Sequence, residues 1–120
     1  MRCLGALLSI ALLGATVAHA DDAEDFTRNK VLTLTVGFNP GGAYDVYARL
    51  FARHFPRFLA PGLSVGAPTV IVRNMPGAGS VIAANYLYNR APADGSEFGL
   101  VAGDAALAPL FGGTSAQFDA

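Results

Sequence analysis

Twice in this chain a β-branched, apolar run breaks at a glycine-rich loop and passes at once into a helical pattern. Residues 31–38 (VLTLTVGF) alternate in part and predict a strand, closed by Asn39, Pro40, Gly41 and Gly42. Proline lacks a backbone donor and glycine accepts positive φ, so the closure is a turn. Residues 69–73 (TVIVR) predict a second strand, closed by Asn74, Met75, Pro76, Gly77, Ala78 and Gly79. After a turn at Pro92, Asp94 and Gly95, a third strand spans 97–102 and is left through Gly103 and Asp104, with a short helix starting near Ala105. Strand, helix, strand, helix, strand implies an α/β fold: a parallel sheet with right-handed crossovers and flanking helices.

The two helices differ in character. The first begins near Ala43 and places Val46, Tyr47, Leu50, Phe51, His54, Phe55 and Phe58 on one apolar face, the one expected against the core. Asp45, Arg49, Arg53 and Arg57 form the opposite stripe, expected to be solvated, with Asp45 four residues before Arg49. Pro56 would clash with the carbonyl of Ala52, so the helix ends or kinks near Phe55. The second runs from Ser80 to about Asn89 and is apolar nearly all round, which predicts deep burial.

At 120 residues there is room for one domain at most. With 52% hydrophobic and 14% charged residues the chain is not a disordered one, and a net charge of −1 excludes a strongly basic nucleic-acid binder. Arg2, the apolar run at 4–17 and Ala18-His19-Ala20 predict a cleavable signal peptide over residues 1–20, hence a periplasmic protein. A membrane-spanning helix needs about 20 apolar residues, more than this run supplies. Residues 21–30 follow as a polar leader and 31–120 as an incomplete α/β lobe. Cleavage removes Cys3 and His19, leaving no cysteine, one histidine and a charge of −2. No disulfide, thiol nucleophile or His/Cys zinc site is then expected, and no metal or cofactor.

In parallel α/β sheets ligands bind beyond the carboxyl ends of the strands, where both glycine loops should lie. Each loop opens a helix, whose first N–H groups are unpaired and carry the positive end of the dipole. These are two candidate anion sites. A P-loop would need Lys and Ser or Thr after its last glycine, and a dinucleotide fingerprint would need a third glycine after Gly77 and Gly79; both are missing. Neither loop contains Lys or Arg, although Arg73 borders the second. A small carboxylate held by backbone N–H groups and water fits better than a nucleotide. The alternative is that the glycines only allow tight turns and close helix–sheet packing.

The candidate contacts are Asn39, Pro40, Gly41, Gly42 and Ala43 in the first loop, Asn74, Gly77, Ala78, Gly79 and Ser80 in the second, and Gly103 and Asp104 after the third strand. Asp45 either caps its helix and pairs with Arg49 or shapes the loop and orders ligand waters. Ser80 is an N-cap or a ligand hydroxyl. Asn39 and Asn74 are turn residues first. His54 belongs with the core aromatics rather than with catalysis.

Residues 34–49 (LTVGFNPGGAYDVYAR) resemble the P-G-G-x-x-D-x-x-A-R signature of the substrate-binding proteins of tripartite tricarboxylate transporters, the Bug family. Residues 74–80 (NMPGAGS), continued by Ala83, Ala84, Asn85, Tyr86 and Leu87, resemble its second signature, N-x-P-G-A-G. Residues 91–95 (APADG) resemble its A-P-x-D-G turn. The resemblance implies a partial first lobe of a two-lobed periplasmic receptor, or a truncated remnant of one, of a kind that delivers small carboxylates to a membrane permease. It also implies ligand contacts in both glycine loops, partly through water, and a specificity role for residues 103–105. The chain departs from the family in having Gly103, Asp104, Ala105 and Ala106 where Ser or Thr is common, in Pro56, and in ending before a second lobe, as an N-terminal portion would. An exported enzyme using Asp45 and Asp104 and a small exported interaction module are the competing expectations.

Overall fold

The computed structural model describes residues 28–59, 66–112 and 115–119. The expected signal peptide and most of the polar leader lie outside the described residues. Strands β1 (Val31–Val36), β2 (Thr69–Asn74) and β3 (Glu97–Leu100) form a parallel sheet in the order β2-β1-β3. Val36 lies level with Asn74 on one side and Leu100 on the other, so all three carboxyl ends open on one edge.

β1 and β3 each stop two residues earlier than the sequence pattern suggested. The backbone leaves the ladder for other partners. The Gly37 N–H still reaches the Leu100 carbonyl at 2.9 Å, but Phe38 then stacks on Tyr44, with ring centroids 3.9 Å apart. The Ala102 N–H donates to the Ser80 hydroxyl rather than to a strand.

Period-2 alternation gives the sheet two unlike faces. Leu32, Leu34, Val36 and Val70 are buried on one, under helix α1 (Ala43–His54) and the short α2 (Pro56–Leu59). Fully burying such a side chain contributes about 1.5–3 kcal/mol. Helix α3 (Val81–Asn89) covers the other face, where Leu87 packs directly over Gly99; a Cβ there would lie 2.1 Å from Leu87 Cδ1. As expected from Pro56, α1 ends at His54, and its last turn is closed by the Phe55 N–H on the Phe51 carbonyl.

The buried face of α1 is not the one its apolar stripe predicted. Ala48 is 1% and Asp45 3% exposed, whereas Tyr47 is 68% and Leu50 52% exposed. Small Ala48 and Ala52 let the helix lie close over β1 and β2, with Phe55 packed against the same core. The bulky stripe therefore overhangs β3, where Phe51 and Phe55 stack on each other at 4.4 Å and meet Phe98 edge-on. Asp45 is drawn inward by hydrogen bonds described below. Helix α3 is likewise less covered than expected: Val81 and Ala83 are buried, but Ile82 and Tyr88 are exposed, because the helix packs on the sheet with one side only. Among the described residues no helix is long and apolar enough to cross a membrane.

Candidate functional site

The first loop leaves β1 and enters α1 through Gly42, which occupies the N-cap position in extended conformation without a side-chain cap. Gly41 takes φ +81°, a left-handed conformation that favours glycine. Asn39, Pro40, Gly41, Gly42 and Ala43 are all exposed. The Gly42 N–H donates to the Asn39 carbonyl at 3.4 Å and the Val46 N–H to the Gly42 carbonyl at 3.0 Å.

Asp45, in the first turn of α1, reaches back across this loop. Its Oδ2 accepts from the Gly41 N–H at 2.8 Å and from Arg49 Nε at 2.9 Å. Its Oδ1 accepts from Asn74 Nδ2 at 2.9 Å. Asn74 is the last residue of β2 and also donates to the Phe38 carbonyl at 3.1 Å. Arg49, the Gly41 N–H and Asn74, in that order, hold the Asp45 carboxyl well below the usual carboxylate range. Arg49 is raised in turn by its pairing with Asp45. Asp45 thus pairs with Arg49 and also ties the first loop to the strand end that begins the second. Arg49, expected in a purely solvated stripe, is a member of this cluster, and Asn74 is more than a turn residue.

The second loop turns by an unusual route. Gly77 has φ +138°, and Ala78, Gly79 and Ser80 follow with φ of +47°, +59° and +69°. Three successive left-handed residues, two of them with a Cβ, form the 3₁₀ turn Ala78–Ser80 that leads into α3. Ser80 stands at the N-cap position of α3 but makes no side-chain cap. Its hydroxyl donates to the Gly79 carbonyl at 2.6 Å and accepts from the Ala102 N–H at 2.7 Å. The left-handed backbone turns this hydroxyl inward, to 1% exposure, so the expected cap is replaced by a link to the end of β3.

The third loop carries Gly103 and Asp104, both exposed, ahead of a 3₁₀ turn at Ala105–Leu107. Ala78, Gly79, Val81, Asp104, Ala105 and Phe111 are among the residues lining a hollow of about 290 Å³ between the second and third loops. The three segments singled out in the sequence therefore share one edge of the sheet. The Asp45 cluster links the first two, and the hollow lies between the second and third. Among the described residues no group of three His, Cys, Asp or Glu side chains is placed to hold a metal ion.

A second polar cluster, which the sequence reading missed, crosses the sheet under α3. The Arg73 guanidinium ion-pairs with Glu97, donates to Thr35 Oγ1 at 3.0 Å and lies 4.6 Å from the Tyr86 ring centroid. Thr35 donates to Glu97 Oε1 at 2.5 Å and the Tyr86 hydroxyl to Glu97 Oε2 at 3.1 Å. Arg73 Nε is buried without a hydrogen-bond partner among the described residues. The available signal was the polar residue at alternate positions in each strand: Thr35, Arg73 and Glu97.

The architecture is that of a parallel α/β layer with its glycine loops on the carboxyl edge. The chain is 33% identical over 88 residues to a protein of Cupriavidus necator described as "UPF0065 protein in gbd 5'region". The match takes in 73% of this chain and 25% of that protein, so the chain spans about a quarter of the relative's length. No family model matches the chain. No solved structure matches it.

Proposed function

We propose that this chain forms the ligand-contacting layer of an exported, periplasmic solute receptor of the Bug type, taking small carboxylates for a tripartite tricarboxylate-type permease. One observation carries the reading: the two glycine loops with the Bug-like motifs lie together on the carboxyl edge of a parallel sheet, beside the loop that leaves β3, where this fold class places ligands. The similarity to the UPF0065 protein supports it. A receptor fits better than a catalyst, because both oxygens of Asp45, the best-placed acid–base candidate, are already engaged by Gly41, Arg49 and Asn74.

Isothermal titration of the full chain against di-, tri- and aromatic carboxylates tests the reading. Saturable binding of at least one carboxylate, lost on Gly79→Val, supports it. No binding across the panel by a folded chain overturns it. The proposed export is tested separately by mass spectrometry of periplasmic material: Asp21 should be the first residue, and soluble periplasmic protein that retains Met1 would refute cleavage.

A further inference from the structure

We propose that Asp45, Arg49 and Asn74 form a charge-balanced latch: it holds the two glycine loops at one spacing, and Arg49 keeps the Asp45 carboxylate from repelling an anion bound beside them. The spacing half stands on geometry alone; the charge half rests on the carboxylate reading above.

The geometry is specific. One buried carboxylate on α1 takes the Gly41 N–H of the first loop on one oxygen and the Asn74 amide, at the root of the second loop, on the other. Asn74 closes the circuit by donating to Phe38, where the first loop begins, and its Oδ1 lies 3.4 Å from an Arg49 nitrogen. Displacing either loop breaks a charge-assisted hydrogen bond to the buried Asp45 carboxylate, so neither loop moves alone. The carboxylate also creates a difficulty. It sits at the N-terminus of α1, where it competes with any other anion for the same positive end of the dipole. Arg49, one turn along, cancels that charge at 2.9 Å while its own side chain stays 56% exposed. Asp45 and Asn74 are therefore positioning residues, and Arg49 balances the charge.

Amide hydrogen exchange on the full chain reads the latch without any ligand. In Asp45→Asn, exchange should quicken about tenfold or more at Gly41 and also at Met75 and Val81 across the second loop, while Arg90 at the far end of α3 is unchanged. Quickening confined to Gly41 overturns the latch and leaves a local cap. If Asp45→Asn does not fold, Arg49→Met at its half-exposed position reads the same link: Gly41 and Met75 must quicken together, and independence overturns it. Citrate is the probe for charge. Arg49→Met should weaken citrate binding, and Asp45→Asn/Arg49→Met, which restores neutrality, should bind it more tightly than Arg49→Met alone. A double variant no better than the single one overturns the charge role. Absence of citrate binding by the wild-type chain overturns the charge half together with the carboxylate reading for that probe, and the exchange result stands or falls separately.

Discussion

Gly37 passes directly beneath Ser80: a Cβ at Gly37 would lie 2.2 Å from the Ser80 Cβ and 3.0 Å from its Cα. Only glycine lets the chain leaving β1 pass this close to the second loop. Gly37→Ala is expected to destabilise the fold by about 1–3 kcal/mol, as overpacking of a close contact does. Urea unfolding followed by circular dichroism measures it, and an unchanged midpoint would contradict the contact.

Arg73 and Glu97 make a different kind of demand. Glu97 is 6% exposed at its side chain and Arg73 41%, so truncating the arginine strands a nearly buried carboxylate on Thr35 and Tyr86 alone. Because Arg73 is partly solvated, Arg73→Met should remove about 1–3 kcal/mol rather than the full value of a buried pair. Arg73→Met/Glu97→Leu should lose less than the sum of the single changes. Strict additivity in urea melts would show that the pair is not coupled.

Asp45 predicts a pH dependence with a definite sign. Its carboxyl is lowered from an ordinary value of 3.8 by Arg49, Gly41 and Asn74. A depressed folded value means that the stabilisation is complete above the ordinary value and fades as pH falls through the folded one. Wild-type stability should therefore decline more steeply below about pH 4 than that of Asp45→Asn. Parallel pH profiles of the two chains would refute the assignment.

Gly79 separates binding from folding. It has φ +59°, and a Cβ there meets nothing within 4 Å. Gly79→Val should cost about 1–2 kcal/mol of backbone strain without a packing clash, and its side chain should project into the space a ligand approaches. Carboxylate affinity should fall about tenfold or more while circular dichroism stays native. Full affinity would place the ligand elsewhere.

Leu50 and Phe51 border an apolar groove of about 460 Å³, lined also by Tyr47, Phe98 and Leu100. Leu50 is half exposed, so Leu50→Lys should change stability by about 0.5 kcal/mol or less. It should also reduce both binding of a fluorescent apolar dye and concentration-dependent association in sedimentation. Unaltered dye binding would show that the groove is not the apolar surface being sensed.

The sheet was legible in the sequence because strand composition and glycine closures are local signals. Val31, Thr69 and Glu97 begin strands where the pattern placed them, and Pro56 breaks the first helix as its ring requires. The buried side of α1 was not legible. Periodicity reports which residues share a face, but small Ala48 and Ala52 decide how closely that helix can sit, and the position of β3 decides which bulky residues are left over an edge. The loops could be placed on one edge from topology alone. The Asp45–Asn74 bond could not, since it joins residues 29 apart through an orientation set by the finished sheet. The inward Ser80 hydroxyl was hidden for a similar reason: its left-handed backbone follows from the turn as a whole, and serine before an apolar run ordinarily signals a cap.

The Ser80 hydroxyl has one further effect. By accepting from Ala102 it fastens the second loop to the third, just as Asp45 fastens the first to the second. The rim is thus held together by the chain's own hydrogen bonds. A solute docking there, as proposed, would order side chains and water but little backbone, so the entropy usually lost when loops close over a ligand would be largely absent. On the receptor reading proposed above, opening and closing would move the layer as a rigid body, with the hinge outside these loops.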